Sequence, residues 1–561
     1  MPYGLGADDH FQKVSQMSEL HHECGVAAVY HLPGSASPLV PDANPAFTSQ
    51  LIVRMLQDMQ NRGQLSAGIS RYNPTAENHQ LIDTYRDIGS VQEVFRLSHG
   101  GKATSLMEKY SGVAAIGHVR YATCGENDKS YAQPFENHHF HRRQWFSFAF
   151  NGQLANYRQL EDELLGEANF HLVRKTDTEV LLYQFCKYLQ ANPDIPLDEL
   201  MRAIADKLDG AYSLALLNAN GEMLVARDAL GIKPLCYAVH GPLFAAASES
   251  VALANLGFPR DSIRSVEPGQ AIVIRGGQLS FHRFAEPRNP AHCFFEWIYF
   301  ANVASTMDDR SVYLTRTALG KELADLERQQ PLFPIDDDTI IVPVPDTSKA
   351  AADSMAFQLK IPCVEGLIRN RYSGRTFIEH TQAARTERAR IKYTPLREVL
   401  HGKRVILVED SIVRSTTMKA LLERIWNEGG AREIHVRIAC PPIIAPCFYG
   451  IDMSSVRQLF AARFVQPGQL MNPHIERQMA TELGATTLRY LPVEAIARSL
   501  QFSQNQLCQA CISGRYPTPV GQQLYQLDRQ RPVSEGEQGM DERAYESRAA
   551  AAPWRVACTP G

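Results

Sequence analysis

Residues 403–430, KRVILVEDSIVRSTTMKALLERIWNEGG, constrain the fold more than any other stretch of the chain. A short apolar run, two acids, a hydroxyl-rich turn and an amphipathic run predict a buried strand that turns into a helix. The chemistry of that turn is specific. Backbone N–H groups at a helix N-terminus favour a phosphate, and Ser411, Thr416 and Thr417 add hydroxyl donors. Glu409 and Asp410, at the carboxyl end of the strand, can accept hydrogen bonds from two sugar hydroxyls. An ordinary strand–helix turn with an acidic N-cap is the rival reading, yet a cap requires neither paired acids nor three hydroxyls.

The block resembles the phosphoribosyl pyrophosphate (PRPP) signature of type I phosphoribosyltransferases. That resemblance implies that Glu409 and Asp410 hold the ribose hydroxyls, and that Ser411, Ile412, Val413, Arg414, Ser415, Thr416 and Thr417 wrap the 5′-phosphate. Ser415 stands where Gly is usual, in a turn expected to need a positive φ, and Glu409 stands where Asp is usual. Around the block, DTIIVPVPD, KAAADSMAFQLK, IPCVEGLI and EIHVRIAC alternate continuous apolar strands with helices, which predicts a parallel α/β sheet over residues 338–442. Residues 342–352, VPVPDTSKAAA, offer a second anion site with Ser348 as a pyrophosphate contact; a plain helix cap is the equal rival. Between the two lie Arg369, Arg371, Arg375, Arg385, Arg388, Arg390 and Lys392. Solvated loop charges are the default for such a run, but beside two phosphate sites it reads as a cationic lid over pyrophosphate.

From about residue 24 to 285 the pattern changes. Short β-rich runs such as CGVAAVYHL, AAIGHVRYAT and WFSFAFNGQL alternate with Gly, Asn and Asp turns, which predicts layered sheets. Helices are expected in LIVRMLQDMQNR and TDTEVLLYQFCKYLQ, the second opened by capping Thr and Asp. Pro and polar residues at 285–292 mark a linker. The expected organisation is an initial segment 1–23, a first domain 24–285, a second 286–500, an extension 501–520, and a disordered tail 521–561 poor in apolar residues. At 561 residues, two large domains plus appendages is the natural division.

Charge and cysteine usage exclude several classes. With 57 Lys+Arg against 61 Asp+Glu, nothing global points to nucleic acid or an anionic membrane. No apolar stretch approaches the ~20 residues of a membrane span, and residues 1–23 lack the pattern of a secretory signal, so a cytoplasmic protein is expected. Eleven cysteines scattered over a long chain argue against a disulfide framework. Cys124, Cys186, Cys236, Cys363, Cys440 and Cys558 lack partner motifs and read as small apolar residues, or as exposed in the tail.

Cys24, at the start of a strand with Gly25 behind it, acquires meaning from four later segments. NRGQLSAGI (61–69), GHVRYAT (117–123), FNGQLAN (150–156) and KTDTEV (175–180) resemble, in order and spacing, the glutaminase domain of the N-terminal nucleophile amidotransferases. The resemblance implies that Cys24 attacks a glutamine amide, Asn151 and the Gly152 N–H form the oxyanion hole, Arg120 binds the α-carboxylate, and Asp177 the α-ammonium. The residue types suit those tasks: cation for carboxylate, anion for ammonium, neutral donors for developing negative charge. Leu65 and Phe150 depart from residues common in these motifs without removing a reacting group. An α-amino base on Cys24 requires removal of the first 23 residues, and self-cleavage before Cys24 is expected.

CQAC (508–511) has the spacing of zinc or iron–sulfur ligation. Together with Cys293 and Cys447, Cys508 and Cys511 resemble the ligand set of the iron–sulfur, propeptide-bearing amidophosphoribosyltransferases. That family implies an αββα N-terminal nucleophile (Ntn) hydrolase domain followed by a parallel α/β phosphoribosyltransferase domain. It also implies one [4Fe–4S] cluster per subunit, with zinc as the alternative, and one Mg2+ near Ser348, Glu409 and Asp410. Ammonia from glutamine would displace pyrophosphate from PRPP, in the first committed step of purine synthesis, with purine nucleotides as inhibitors and a tetramer as the assembly. The rivals are a PRPP-binding regulator without turnover and an amidotransferase with another acceptor.

Overall fold

The computed structural model describes residues 24–76, 79–121, 128–166, 171–174, 176–370, 392–453 and 455–530. In the first half, alternating apolar residues build two antiparallel sheets. One runs Arg264–Ser265, Cys236–His240, Leu243–Ala247, Gly25–His31, Ala114–Arg120, Ser66–Tyr72, Ile82–Ile88. The other runs Gln278–Arg283, Gln270–Arg275, Met223–Arg227, Gly210–Asn218, Phe146–Leu154, Phe135–Asn137. Small and branched side chains such as Val26, Ala28, Ile116, Ala149 and Ala215 fill the space between the sheets. Such short residues let the layers approach closely.

Helices cover the outer faces. Leu51–Asp58 and Ser250–Leu256 pack against the first sheet, burying Leu51, Ile52, Met55 and Leu253. Asp177–Ala191 and Leu197–Ala205 lie against the second. This is the expected αββα sandwich. Thr176 caps Asp177–Ala191 by accepting from Thr178 N at 3.0 Å, as the sequence predicts. Gly276 and Gly277, both at positive φ (56° and 76°), turn the last hairpin.

The second half holds a four-stranded parallel sheet, in the order Thr339–Pro343, Arg404–Glu409, Glu433–Ile438, Thr487–Tyr490. Its central strand is the apolar run of the opening motif, buried on both faces. IPCVEGLI does not form the full strand expected of it. Cys363 makes a single parallel bridge to Ile341, because Pro362 has no N–H to extend the ladder. The strand Thr487–Tyr490 lay outside the predicted region.

The chain's late segments return to its middle. His292–Cys293 pairs in parallel with Leu507–Cys508, placing Cys293 opposite Cys508. Residues 519–530 correct the expectation of a disordered tail from 521. They form the helix Pro519–Gln530, which buries Leu524, Tyr525 and Asp528 and anchors to the first half through Val520 N and Asp209 Oδ2 at 3.1 Å. The rest of the expected tail lies outside the described residues, as do residues 1–23. Among the described residues no helix is long and apolar enough to cross a membrane.

Candidate functional site

Strand register assembles the first site. Gly25 pairs with Val119, so one step farther Cys24 arrives beside Arg120 and Tyr121 at the edge of the sandwich. The Cys24 thiol lies 3.3 Å from Tyr121 O and accepts from Tyr121 N at 3.4 Å. Burial raises its pKa, while the Tyr121 N–H, Arg120 and Lys233 pull it back down. From the other sheet comes Gly152, paired with Tyr212. A Cβ there would sit 2.0 Å from Ala211 O, so only glycine fits this close approach. Asn151, 1% exposed, donates to Ser248 Oγ at 3.3 Å, and Ser248 in turn accepts from Val26 N. Asp177 begins its helix and accepts from Leu154 N at 3.1 Å.

Cys24, Arg120, Gly152 and Asp177 line one small pocket of about 20 Å3, together with Tyr121, Tyr131 and Gln133, and Asn151 lies next to it in the strand that carries Gly152. It has room for about one water. Sequence reasoning missed several of its supports. Gln133 accepts from Phe150 N at 2.8 Å and His118 bonds Phe150 O at 3.0 Å, fixing the peptide before Asn151 from both sides. Burial lowers the His118 pKa to about 3, so it stays neutral. Buried Lys233 approaches the same strand, its ammonium packed against Gly450 of the second half. His118 was visible inside the quoted GHVRYAT motif; Gln133 and Lys233 carried no signal beyond their polarity.

The second site sits where the parallel strands end. Asp410, 3% exposed, accepts from Thr347 Oγ1 and from Ser411 Oγ at 2.7 Å. Burial raises its pKa, with the two hydroxyls, Arg316 and Lys392 opposing the rise. Glu409 is half-buried beside it. Ser348, 1% exposed, opens the helix Lys349–Leu359, and its hydroxyl has no partner among the described residues. Such an orphaned buried hydroxyl costs free energy until something bonds it.

The turn after Asp410 differs from expectation. Ser415 is the first residue of the helix Ser415–Arg424 and is absent from the residues with positive φ, so its side chain carries no left-handed strain. Ile412 and Val413 are buried, leaving only their backbone for a ligand. Arg414 is held by Gln458 at 2.7 Å, Thr416 is exposed and Thr417 half-buried. Of the basic segment, Arg369 pairs with Asp346 at 2.6 Å and Lys392 lies over the Tyr393 ring. Arg371, Arg375, Arg385, Arg388 and Arg390 lie outside the described residues.

The segments that carry the four cysteines of the expected cluster lie next to one another. Cys293 faces Cys508 in register, and Cys511 O accepts from Ile444 N and Ala445 N at 2.8 and 3.0 Å, three residues or fewer before Cys447. None of the four is in a disulfide, and burial with neighbouring Cys447 pushes Cys508 up to about 12. Among the described residues no group of three or more His, Cys, Asp or Glu side chains is arranged to hold a metal ion.

Comparison with known proteins agrees with the order of the two halves. A glutamine amidotransferase domain model matches residues 118–255, and a phosphoribosyl transferase domain model matches residues 318–441. The amidophosphoribosyltransferase of Methanothermobacter thermautotrophicus is 35% identical over 92% of this chain and 99% of its own length. The chain belongs to the amidophosphoribosyltransferase family. The Bacillus subtilis amidophosphoribosyltransferase is 33% identical over 91% of the chain and 97% of its own length. A solved B. subtilis glutamine PRPP amidotransferase, complexed with ADP and GMP, superposes with a TM-score of 0.72 at 32% identity, covering 89% of this chain and 98% of that one.

Proposed function

We propose that the chain uses glutamine to aminate PRPP, giving 5-phosphoribosylamine, glutamate and pyrophosphate in the first committed step of purine biosynthesis. The observation that carries the residue assignment is the single cavity lined by Cys24, Arg120, Gly152 and Asp177. Cys24 Sγ attacks the glutamine amide carbon, and the Cys24 α-amino group, freed by loss of residues 1–23, takes the thiol proton. Asn151 Nδ2 and Gly152 N–H stabilise the tetrahedral oxyanion. Arg120 and Asp177 hold the substrate's carboxylate and ammonium. Collapse expels ammonia with that proton, and water cleaves the thioester to release glutamate. Ammonia then crosses an apolar passage, shielded from protonation, and attacks the ribose C1 of PRPP as the C1–pyrophosphate bond breaks.

At the second site Glu409 and Asp410 bind the ribose hydroxyls, the 411–417 backbone and hydroxyls bind the 5′-phosphate, and Ser348 and Lys392 reach the pyrophosphate. The oxygen donors of Ser348, Glu409 and Asp410 fit a magnesium ion, which when bound neutralises the pyrophosphate leaving group. Cys293, Cys447, Cys508 and Cys511 would be the thiolates that hold a [4Fe–4S] cluster or zinc, stapling the C-terminal extension to the linker. Iron and sulfide analysis of purified protein distinguishes the two. The remaining parts of the reading are purine nucleotide inhibition, a tetramer and a cytoplasmic location. Glutamate release measured with and without PRPP tests the whole: PRPP-dependent release with stoichiometric pyrophosphate supports it, and release indifferent to PRPP rejects it. N-terminal sequencing of active protein must begin at Cys24.

A further inference from the structure

Lys233 keeps an ammonium in the interior at 1% exposure, a placement that is strongly disfavoured unless polar groups surround it. Its backbone is clamped. Residues 228–233 turn back after the strand Met223–Arg227, and buried Asp228 accepts from Leu230 N, Ile232 N and Lys233 N, each at 3.0 Å. Arg227, also buried, donates from Nε to Lys233 O at 2.6 Å and from Nη1 to Asp308 Oδ1 at 2.6 Å. Ser213 Oγ closes the turn by donating to Pro234 O at 3.0 Å. Both backbone groups of Lys233 are thus taken by charged side chains, which fixes the root from which its ammonium reaches inward.

The carboxylate that holds this turn also shapes the strand of the oxyanion donor. Tyr212 donates its N–H to Asp228 Oδ2 at 3.3 Å, and its carbonyl accepts from Asp228 N at 2.8 Å. Tyr212 stands opposite Gly152 in the antiparallel ladder. A pair in which one residue bonds outward is a non-hydrogen-bonded pair, so Gly152 turns its N–H away from Tyr212 and offers it to a ligand. The Lys233 side chain ends beside this same residue. Their meeting point is Gly450 of the second half, at φ 104°, where a Cβ would stand 2.9 Å from Lys233 Nζ and 3.5 Å from Gly152 C. Only a residue without a side chain leaves the ammonium and the Gly152 peptide side by side. Of the charged groups around the Cys24 thiol, Arg120 and Lys233 favour its ionised form and Asp177 opposes it, while His118 is neutral. The Lys233 charge also reaches the Cys508 thiol.

We infer that Lys233 is a positioning residue of the glutamine site: set behind Gly152 by the Arg227–Asp228 turn, its ammonium steadies the peptide that donates to the oxyanion and directs a fixed positive charge toward it. The inference rests on the assignment of Cys24 and Gly152 to glutamine hydrolysis. Negative charge that grows on the amide oxygen during attack gains more from a fixed cation in a dry interior than the neutral ground state does. Arg120, assigned to the substrate carboxylate, is already engaged before attack. Lys233 is not part of the pocket's lining and acts through Gly152, so its effect falls on kcat rather than on KM.

The test compares wild type with Lys233→Met, which keeps the length and removes the charge, and Lys233→Arg, which keeps the charge. Three quantities are measured: kcat and KM for glutamine with PRPP present, product formation from ammonium and PRPP, and the pH dependence of Cys24 alkylation by iodoacetamide. Lys233→Met should lower kcat for glutamine about ten- to hundredfold, with KM and the ammonium-driven rate within about threefold of wild type. Loss of a cation disfavours the thiolate, so the alkylation midpoint should rise by roughly half a unit to one unit, and Lys233→Arg should restore it. An unmoved midpoint in Lys233→Met overturns the inference, as does an ammonium-driven rate that falls in step with glutamine use, or a Lys233→Arg enzyme with the same defects as Lys233→Met. If Lys233→Met does not fold, Gly450→Ala carries the test, because its methyl takes the space of Nζ and leaves the charge in the protein. Glutamine kcat must then fall with the ammonium-driven rate spared, and an unchanged kcat overturns the inference. If wild type hydrolyses no glutamine, or Cys24→Ala still does, the assignment of the glutamine site itself fails, which is a separate result.

Discussion

The two half-sites solve opposite problems. Around Cys24 every group sits on a strand end or helix start of a locked sandwich, already hydrogen-bonded, with space for about one water. Around Asp410 the groups sit on turns after parallel strands, with a buried Ser348 hydroxyl unpartnered among the described residues and Thr416 facing solvent. The Cys24 site is preorganised. The Asp410 site keeps a buried hydroxyl that the proposed reading gives to its ligand. Preorganisation favours transition-state stabilisation, whereas a ligand-completed site makes substrate binding an event that the rest of the molecule can sense.

Experiments can break this contrast. The largest effect belongs to Cys24→Ala, which should abolish glutamine-dependent synthesis, by about 10³-fold or more, and leave the ammonium-driven reaction near wild type. Equal loss of both activities would merge the two sites into one. Gly152→Ala drives a methyl into Ala211 O and displaces an oxyanion donor, so glutamine-dependent kcat should fall about 10²–10³-fold with ammonium use spared. Asp410→Asn should lower kcat/KM for PRPP about 10²-fold in both reactions, since it acts downstream of ammonia release.

Ser348→Ala sharpens the contrast most directly. Its hydroxyl has no partner among the described residues, so thermal stability should hold or rise slightly while KM for PRPP rises about tenfold. A stability loss instead would mean the PRPP side is as prebuilt as the glutamine side. The smallest effect is acid sensitivity. In the folded chain burial holds His435 down at about 4, and hydrogen bonding from Arg404 holds Glu433 near 2. The unfolded chain binds these protons first, so stability falls as pH drops from about 6.5 to 4 through His435, and from about 4.5 to 2 through Glu433. Glu433→Gln should flatten the lower part of that decline in Tm against pH, costing about 1 kcal/mol at neutral pH.

What the sequence made legible follows a physical line. Cys24, Arg120, Asn151, Gly152 and Asp177 each stand in a short segment whose residue types match one task, and strand register then brings them together. The apolar strand before Glu409 was equally plain. IPCVEGLI was not, because its apolar content resembles a strand while one proline decides the ladder. The helix Pro519–Gln530 escaped notice because its few apolar residues, Val520, Leu524 and Leu527, were averaged into a polar tail; their spacing marks one helical face. Arg62 and Arg316 are charged residues in full burial, and nothing local in a sequence announces which carboxylates and carbonyls await them.

The parallel pairing of Cys293 with Cys508 has a consequence for biogenesis. The two strands are separated by roughly two hundred residues, which a ribosome adding ~5–20 residues per second needs on the order of ten to forty seconds to make. Through that interval the first half can complete its two sheets, while His292–Cys293 waits for its partner strand. Pairing of the two strands is therefore a late event of synthesis, and a ribosome that stalls before Cys508 leaves that seam unsewn.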